Sequence, residues 1–166
     1  MINGTFKQLL TFIGLVLLQV LILNNICFLG YINPYLYIYF ILVAPSSINK
    51  DLLLLLGFVL GLSVDVFCGT LGCHAFATTL LAYLQPYFHK LFGPRETYEE
   101  AEPSLRGFGV GAFMKYVALL VLIHHLAFFF VETMSFAHFF RTLSVAIGCS
   151  LFTTLLIYLV QRLKRS

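Results

Sequence analysis

The amino-acid sequence predicts an all-α polytopic membrane protein, folded as a compact bundle of about six transmembrane helices. Of the 166 residues, 60% are hydrophobic and 10% are charged, whereas a soluble domain carries about 25% charged residues. The apolar runs are continuous rather than alternating, which favours membrane helices over the strands of a β-barrel. We therefore expect residues 1–166 to form a single integral membrane domain.

Six apolar stretches are candidates for membrane spans. They cover about Gln8–Asn24, Pro34–Ala44, Leu52–Phe67, Gly72–Phe88, Gly109–Val131 and Phe139–Val160. The first is interpreted as an uncleaved span, because no small-residue cleavage site follows it. The second is much shorter than the ~20 residues that a span usually needs. Two interpretations of it stay open: a short span, or a re-entrant or interfacial segment rich in tyrosine.

The positive charges predict the orientation of the bundle. With six spans, nine of the ten Lys and Arg residues fall on one side and Arg141 lies near the other. The nine are Lys7, Lys50, Lys90, Arg95, Arg106, Lys115, Arg162, Lys164 and Arg165. Because short cytoplasmic loops are enriched in Lys and Arg, both termini and the loop of about residues 89–108 are predicted to be cytoplasmic. The net charge of +3 is too small and too dispersed for a nucleic-acid-binding protein.

Small residues at regular spacing predict a tightly packed helical hairpin. Gly57, Gly61, Asp65 and Gly69 recur every four residues, which places them on one stripe of a helix. Glycine lets a neighbouring helix approach closely in lipid. The candidate helix-packing residues are Gly57, Gly61, Gly69 and Gly72. The next apolar stretch offers a matching face of Ala75, Thr78, Thr79 and Ala82.

Asp65 is the acidic residue within this stripe, and it needs a partner. A carboxylate in the hydrocarbon region costs about 2.5–3.5 kcal/mol on insertion scales. Counted from Leu52, Asp65 lies about 20 Å along the helix, in its outer half. Arg141 is the cation predicted at that level, so we expect an Asp65–Arg141 contact. A proton or ligand site and an unpaired, protonated acid stay open as alternatives.

No pattern in the sequence indicates catalysis, a metal or a cofactor. The five histidines lack the spacing of a zinc site, and His124 and His125 point about 100° apart on a helix. No nucleophile has a recognisable base beside it, so we expect no catalytic residues and no enzyme activity. Cys68 and Cys73 flank a turn, where a disulfide and two buried free thiols both fit the pattern.

The predicted cytoplasmic loop is the largest aqueous part of the chain. Its candidate partner-docking residues are Arg95, Glu96, Glu99, Glu100 and Glu102. A short charged surface helix and a solvated linker both fit this composition.

The stretch from Gly61 to Ala75 resembles the family of the rod shape-determining protein MreD. The residues that carry the resemblance are Gly61, Leu62, Asp65, Gly69, Leu71, Gly72, His74 and Ala75. The proline-bounded stretch from Pro34 to Pro45 is similar to the second span of that family. The resemblance extends over the whole chain in length and span pattern, and it is sharpest between Pro34 and Ala82.

This resemblance implies a non-enzymatic scaffold of the bacterial cell-wall elongation complex, multi-pass in the inner membrane. It implies MreC as the direct partner. RodA, a class B penicillin-binding protein and, indirectly, MreB are further implied partners. The family fold is similar to the substrate-binding subunits of energy-coupling-factor transporters, which gives an alternative function in small-molecule binding. The short outer loops, nearly without charge, favour the scaffold.

Overall fold

The protein is built almost entirely from helices. The computed structural model describes residues 2–26, 32–94, 103–134 and 138–165. The five long helices are α1 (Ile2–Leu21), α3 (Lys50–Cys68), α4 (Cys73–Phe92), α5 (Val110–Thr133) and α6 (Phe139–Arg165). Between α1 and α3 lie the 3-10 turns Leu23–Asn25 and Leu36–Ile38 and a single α-helical turn, α2 (Tyr39–Leu42). These described residues contain no strand, so the predicted all-α class is confirmed.

Four of the described helices are long and apolar enough to cross a membrane. They cover Phe6–Asn25, Lys50–Cys68, Val110–Thr133 and Phe139–Lys164. The chain therefore has the helices of an integral membrane protein. Helix α4 has 20 residues, about 30 Å at 1.5 Å per residue. It is less apolar because it carries buried polar residues such as Thr78, Gln85 and His89.

The long helices pack in chain order. α3 lies on α4, α4 on α5 and α5 on α6, while α1 contacts α3 and the segment that precedes it. The turn of residues 69–72 makes α3 and α4 antiparallel. The start of α4 contacts the end of α5 through His74 and Phe128, and the end of α5 contacts the start of α6 through Phe130 and Phe139, so these pairs are antiparallel as well. Lys50, Lys90 and Arg162 therefore lie at the same end of the bundle, here called the basic end. The turn between α3 and α4 lies at the opposite end, here called the cavity end.

Helix α1 is the most peripheral of the long helices. Its buried side chains from residue 6 onward are Val16 and Gln19, and Leu23 in the following turn is also buried. Phe6, Leu9, Leu10, Ile13, Leu17 and Leu21 are exposed. The apolar exposed face matches a lipid environment, because hydrocarbon solvates such side chains as well as a protein core does.

Residues 33–44, here called the central segment, run through the middle of the bundle. Tyr37, Ile38, Ile41 and Leu42 are completely buried. Pro34 is the second residue of this segment, and Pro45 directly follows its last residue. Proline lacks a backbone N–H and disfavours helical geometry in the residue before it, so it does not continue a helix through either boundary.

Side chains from neighbouring helices bond the backbone where the central segment begins. Gln19 of α1 donates from Nε2 to the carbonyl oxygen of Pro34 at 3.0 Å and accepts from the amide of Tyr37 at 3.4 Å. The hydroxyl oxygen of Thr153, on α6, accepts from the amide of Tyr35 at 3.0 Å. Backbone groups that a regular helix would pair internally are thus paired by side chains.

The same arrangement holds where the central segment ends, near the basic end. Gln85 of α4 donates from Nε2 to the carbonyl oxygen of Ala44 at 3.0 Å. The hydroxyl of Tyr116, on α5, donates to the carbonyl oxygen of Leu42 at 2.7 Å. Irregular backbone is tolerated at membrane depth where protein covers and bonds it. The predicted second span is therefore a buried segment with a short helical middle, Leu36–Leu42, and non-helical ends that side chains of other helices bond.

Candidate functional site

The α3–α4 hairpin brings two backbones into direct contact at Gly57 and Gly61. A Cβ atom added at Gly61 would lie 2.5 Å from the Cα atom of Ala75 and 2.5 Å from the carbonyl oxygen of His74. One added at Gly57 would lie 2.8 Å from the Cβ atom of Ala82. Non-bonded carbon atoms in van der Waals contact are about 3.5–4.0 Å apart. Both positions therefore leave no room for a side chain.

Gly69 and Gly72, predicted as helix-packing residues, have a different role. A Cβ atom added at either would meet no atom within 4 Å. Their φ angles are +69° and +86°, in the left-handed region. Gly69 ends α3 and Gly72 begins α4, where glycine adopts this geometry without the steric cost of a Cβ atom. The predicted packing role is wrong for these two glycines, because both lie in the turn between the helices and not on a face where the helices meet.

Asp65 binds the start of α4. Its Oδ1 accepts hydrogen bonds from the amide of His74 at 3.0 Å and from the hydroxyl of Thr70 at 2.6 Å, and its Oδ2 accepts from the amide of Ala75 at 2.8 Å. The first amides of a helix have no partner within it, and a carboxylate there also offsets the helix dipole. A side chain of α3 therefore caps α4, in a carboxylate that is 5% exposed.

The predicted contact between Asp65 and Arg141 is wrong. Within the described residues, the hydrogen-bond partners of the Asp65 carboxylate all belong to the turn and to the first residues of α4. Arg141 is exposed at the start of α6 and lines a shallow groove with Ile32 and Ser144. The prediction compared only the depths of Asp65 and Arg141 in the membrane. It took no account of the turn, which brings the first amides of α4 against the Asp65 carboxylate.

Tyr37 joins a group of polar side chains in the centre of the bundle. Its hydroxyl lies 3.0 Å from Nδ1 of His74, 3.1 Å from Oγ1 of Thr78 and 3.0 Å from Nε2 of His124. The His74 ring stacks on Phe128, with centroids 4.2 Å apart. Residues from the central segment, α4 and α5 thus meet at one hydroxyl group, which ties the three elements together.

His125 belongs to a second chain of hydrogen bonds. Its Nδ1 lies 2.7 Å from the carbonyl oxygen of Val121, so Nδ1 carries the proton. Nε2 of the neutral ring then accepts from the hydroxyl of Thr153 at 3.3 Å, and that hydroxyl accepts from the amide of Tyr35. His124 and His125 therefore serve two separate networks. No group of three or more His, Cys, Asp or Glu within the described ranges is placed to hold a metal ion.

A cavity of about 340 Å³ opens at the cavity end. Its lining combines polar and aromatic side chains from α1, the central segment, the α3–α4 turn, α4 and α5. The residues are Val20, Asn24, Asn25, Asn33, Tyr35, Phe67, Cys68, Thr70, His74, Phe128 and Glu132. Through His74, this wall connects to the hydrogen bonds of Tyr37.

The remaining sequence-predicted residues are placed as follows. Cys68 and Cys73 are free thiols, and Cys68 accepts a hydrogen bond from Asn24 at 2.8 Å. The candidate docking residues of the loop lie outside the described residues. They are Arg95, Glu96, Glu99, Glu100 and Glu102.

Comparisons with protein-family models, with curated proteins and with solved structures find no match to this chain. A proposal about its function therefore depends on its own residues and on the resemblance to MreD.

Sequence reasoning missed the polar side chains that hold the central segment. Gln19, Gln85 and Thr153 each interrupt an apolar helix and are buried. Each is a signal, because a polar side chain inside a membrane helix faces the protein interior and needs a partner there. Their shared target could not be found from spacing, since it lies on a segment far away in the sequence.

Proposed function

We propose that this chain is a non-enzymatic scaffold of the bacterial cell-wall elongation complex, of the MreD type. It would hold MreC in the inner membrane, and through it MreB. It would also position RodA and a class B penicillin-binding protein. In this role the chain acts by association between helix faces, with no bond made or broken.

One observation carries the choice of a scaffold over an enzyme. The stretch that resembles MreD forms the α3–α4 hairpin, and its carboxylate, Asp65, is fully engaged in capping α4. Asp65, the acid in the middle of this stretch, therefore has a structural role. Such a residue supports a rigid surface for partners rather than a reacting centre.

The orientation within this proposal follows from charge. The basic end, with Lys50, Lys90 and Arg162, would face the cytoplasm, as positively charged membrane-protein ends usually do. Both termini would then be cytoplasmic, in a six-span count that treats α4 and the central segment as spans. The cavity end would face outward, toward the site of cell-wall synthesis.

Purification with an affinity tag from a rod-shaped bacterium tests the scaffold. We expect an MreC-type protein with one membrane helix, and a RodA-type protein, to co-purify in mild detergent. Depletion of the chain should round the cells, and the Gly14→Ala variant should restore rods, because a Cβ atom there meets nothing within 4 Å. Recovery of a pair of ATPases instead, with cell shape unchanged, would refute the scaffold.

The loop contribution can be tested in the same purification. Replacing Glu96, Glu99, Glu100 and Glu102 together with glutamine should reduce the yield of one partner. Asp51→Asn, which removes an exposed acid from the first turn of α3, is the control with a smaller charge change at the same end. Equal partner yields from both variants and the unmodified chain would exclude the loop as a docking site.

A second function is favoured by the cavity. A cavity of about 340 Å³ with polar and aromatic walls is large enough for a small molecule. This supports the alternative of a substrate-binding subunit of an energy-coupling-factor type transporter. Co-purification of ATPases with a bound vitamin would be its signature.

A further inference from the structure

The scaffold proposal gives no role to the cavity at the cavity end. Its volume, about 340 Å³, lies within the range of small-molecule sites, about 300–1,000 Å³. Two side chains of its wall, Tyr35 and His74, are only 7% and 2% exposed, and each brings a polar atom to the cavity. The chemistry of a ligand can be inferred from these two atoms and from the polar groups of the wall that the protein already uses.

The hydroxyl of Tyr35 is the first of these atoms. It makes no hydrogen bond within the described residues, and it is not one of the side-chain atoms that are sealed inside the protein. Glu132 and Cys68, which line the same cavity, are close enough to act on it electrostatically. This hydroxyl is therefore open to the cavity and free to donate a hydrogen bond.

Nε2 of His74 is the second atom. Nδ1 of the same ring lies 3.0 Å from the Tyr37 hydroxyl, whereas Nε2 makes no hydrogen bond with a described residue and is not sealed. A neutral histidine carries one proton on its two ring nitrogens. Whether Nε2 donates or accepts therefore depends on which partner supplies the proton between His74 and Tyr37.

The hydrogen bonds of Tyr37 assign this proton. The Tyr37 hydroxyl can donate one bond and accept two. If it donates to Nδ1 of His74, it accepts from Nε2 of His124 and from the hydroxyl of Thr78, and all three contacts are used. The reverse arrangement leaves a proton without an acceptor among the described residues, either on the Thr78 hydroxyl or on the sealed Nδ1 of His124. Nε2 of His74 therefore carries the proton and donates into the cavity.

The acceptors in and behind the wall are already in use or out of reach. Oδ1 of Asn24 accepts from Gln19 at 2.8 Å, and the buried Asp65 carboxylate accepts from the turn and from α4. Oδ1 of Asn33 is sealed from the cavity. The thiol of Cys68 accepts from Asn24 and keeps its own proton to donate. The inner wall therefore offers donors, and it fits a ligand that carries an acceptor.

Charge and shape narrow this acceptor further. No lysine or arginine lines the cavity among the described residues. Two carboxylates are near it, the exposed Glu132 and the buried Asp65, and both repel an anion. The acceptor therefore belongs to a neutral group. Val20, Phe67 and Phe128 give the wall apolar surface against which the rest of a ligand can pack.

We infer that this cavity binds a neutral carbonyl compound with a small apolar body. The carbonyl oxygen accepts from the Tyr35 hydroxyl, with Nε2 of His74 as the second donor, and the apolar body packs against Phe128. The carbonyl group belongs to a free ketone or amide, or to the ester of a lipid, which offer the same acceptor. The site is independent of the scaffold function, because it needs no protein partner. A transporter subunit would use the same site, but the site does not depend on that function.

Binding to the purified chain in detergent tests this inference. Acetophenone is the probe, and α-methylstyrene has the same shape with a methylene group in place of the carbonyl oxygen. We expect Tyr35→Phe to weaken acetophenone binding about fivefold, as one hydrogen bond between neutral groups would, and to leave α-methylstyrene binding unchanged. Because each probe is compared across two proteins, its partition into detergent cancels. Equal changes for both probes, or no binding of acetophenone, would overturn the inference.

The melting temperature separates binding from folding. Without a probe, Tyr35→Phe should melt at the same temperature as the unmodified chain, because its hydroxyl has no partner in the described part of the protein. Tyr83→Phe, at an exposed tyrosine outside the cavity, should bind both probes as the unmodified chain does. A lower melting temperature for Tyr35→Phe, or weaker acetophenone binding by Tyr83→Phe, would contradict the proposed site.

Benzoate tests the preference for a neutral ligand. It has nearly the shape of acetophenone but carries a negative charge. At equal free concentrations we expect it to bind about tenfold more weakly or worse, because no described cation of the wall offsets the repulsion by Asp65 and Glu132. Binding of benzoate as tight as that of acetophenone would show that the cavity does not select a neutral group.

Nanodiscs of two phosphatidylcholines distinguish the sources of the carbonyl group. The diester lipid carries ester carbonyls and the diether lipid has none. If a lipid ester occupies the cavity, the diester lipid should weaken acetophenone binding relative to the diether lipid, and Tyr35→Phe should remove the difference. If the two lipids give the same affinity, the ligand is a free molecule. Failure of acetophenone to bind would refute this site and leave the scaffold standing, since co-purification of partners uses no probe.

Discussion

The α3–α4 hairpin and the central segment answer the same physical problem in opposite ways. Neither can leave backbone amides or carbonyl groups unpaired where water cannot reach them. In the hairpin, each helix pairs its own backbone, and the glycines at Gly57 and Gly61 remove side chains so that the helices touch. In the central segment the helical part is only seven residues long, and side chains such as those of Gln19 and Gln85 bond the backbone at its ends.

This difference determines which changes each region tolerates. The hairpin is local, within Lys50–Phe92, and is sensitive to added volume. The central segment depends on side chains of α1, α4, α5 and α6, and is sensitive to lost polar groups. A substitution that adds a methyl group should harm the first region, and one that removes an amide should harm the second.

The largest expected effect is at Gly61. Gly61→Ala should lower the free energy of unfolding by about 3 kcal/mol, the upper part of the usual range for overpacking. The added Cβ atom would meet backbone atoms of α4, which cannot move aside as a flexible side chain can. Thermal denaturation in detergent measures the effect. Gly14→Ala is the matched control, and a similar loss there would show that the contact between backbones is unimportant.

Asp65 should come next. Asp65→Ala leaves the amides of His74 and Ala75 buried without an acceptor, and we expect a loss of about 2–3 kcal/mol. Asp65→Asn keeps one acceptor oxygen and should lose less. Combining Asp65→Ala with Arg141→Ala should give additive losses, because the two side chains share no contact. A double variant milder than Asp65→Ala alone would restore the original prediction of a pair.

Gln19 tests the central segment through its side-chain bonds. Gln19→Leu keeps the volume but leaves the carbonyl of Pro34 and the amide of Tyr37 unpaired, at a cost of about 2 kcal/mol. Gln8→Leu is the control on the exposed part of the same helix. If both variants melt at the same temperature as the unmodified chain, the polar bonds to the segment do not stabilise the fold.

The smallest expected effect is at the Tyr37 hydroxyl. Tyr37→Phe removes its bonds to His74 and His124, and we expect a loss of about 1 kcal/mol, near the mean for a hydrogen bond. Tyr83→Phe, at an exposed tyrosine, should change stability much less. A loss at Tyr37 no larger than at Tyr83 would mean that the polar centre adds nothing to stability.

Much of the hairpin could be predicted from the sequence, since its information is local. The four-residue spacing of Gly57 and Gly61 follows from helical geometry, and the short turn forces the two helices to be neighbours. The same spacing misled at Gly69, because a periodic pattern does not indicate where a helix ends. The partners of Asp65 were missed because the search for them considered only charged side chains, whereas the carboxylate binds backbone amides.

The central segment and the cavity could not be predicted in this way. Their contacts join residues far apart in the sequence, such as Tyr35 with Thr153 and Tyr37 with His124. Hydrophobicity marks residues 34–44 as a candidate span, with a re-entrant or interfacial segment as the other interpretation. It does not distinguish a regular span from a short helical segment with bonded ends, because that depends on polar side chains supplied by four other helices.

The peripheral position of α1 has a consequence for the order of assembly during synthesis. This helix is synthesised before the central segment and α3, and it packs against both of them. Until they arrive, Gln19 has neither Pro34 nor Tyr37 to bond, and of its partners only Oδ1 of Asn24, which accepts from its Nε2 at 2.8 Å, is already present. We therefore expect α1 to wait beside the insertion machinery and to dock only after the next two elements have entered the membrane.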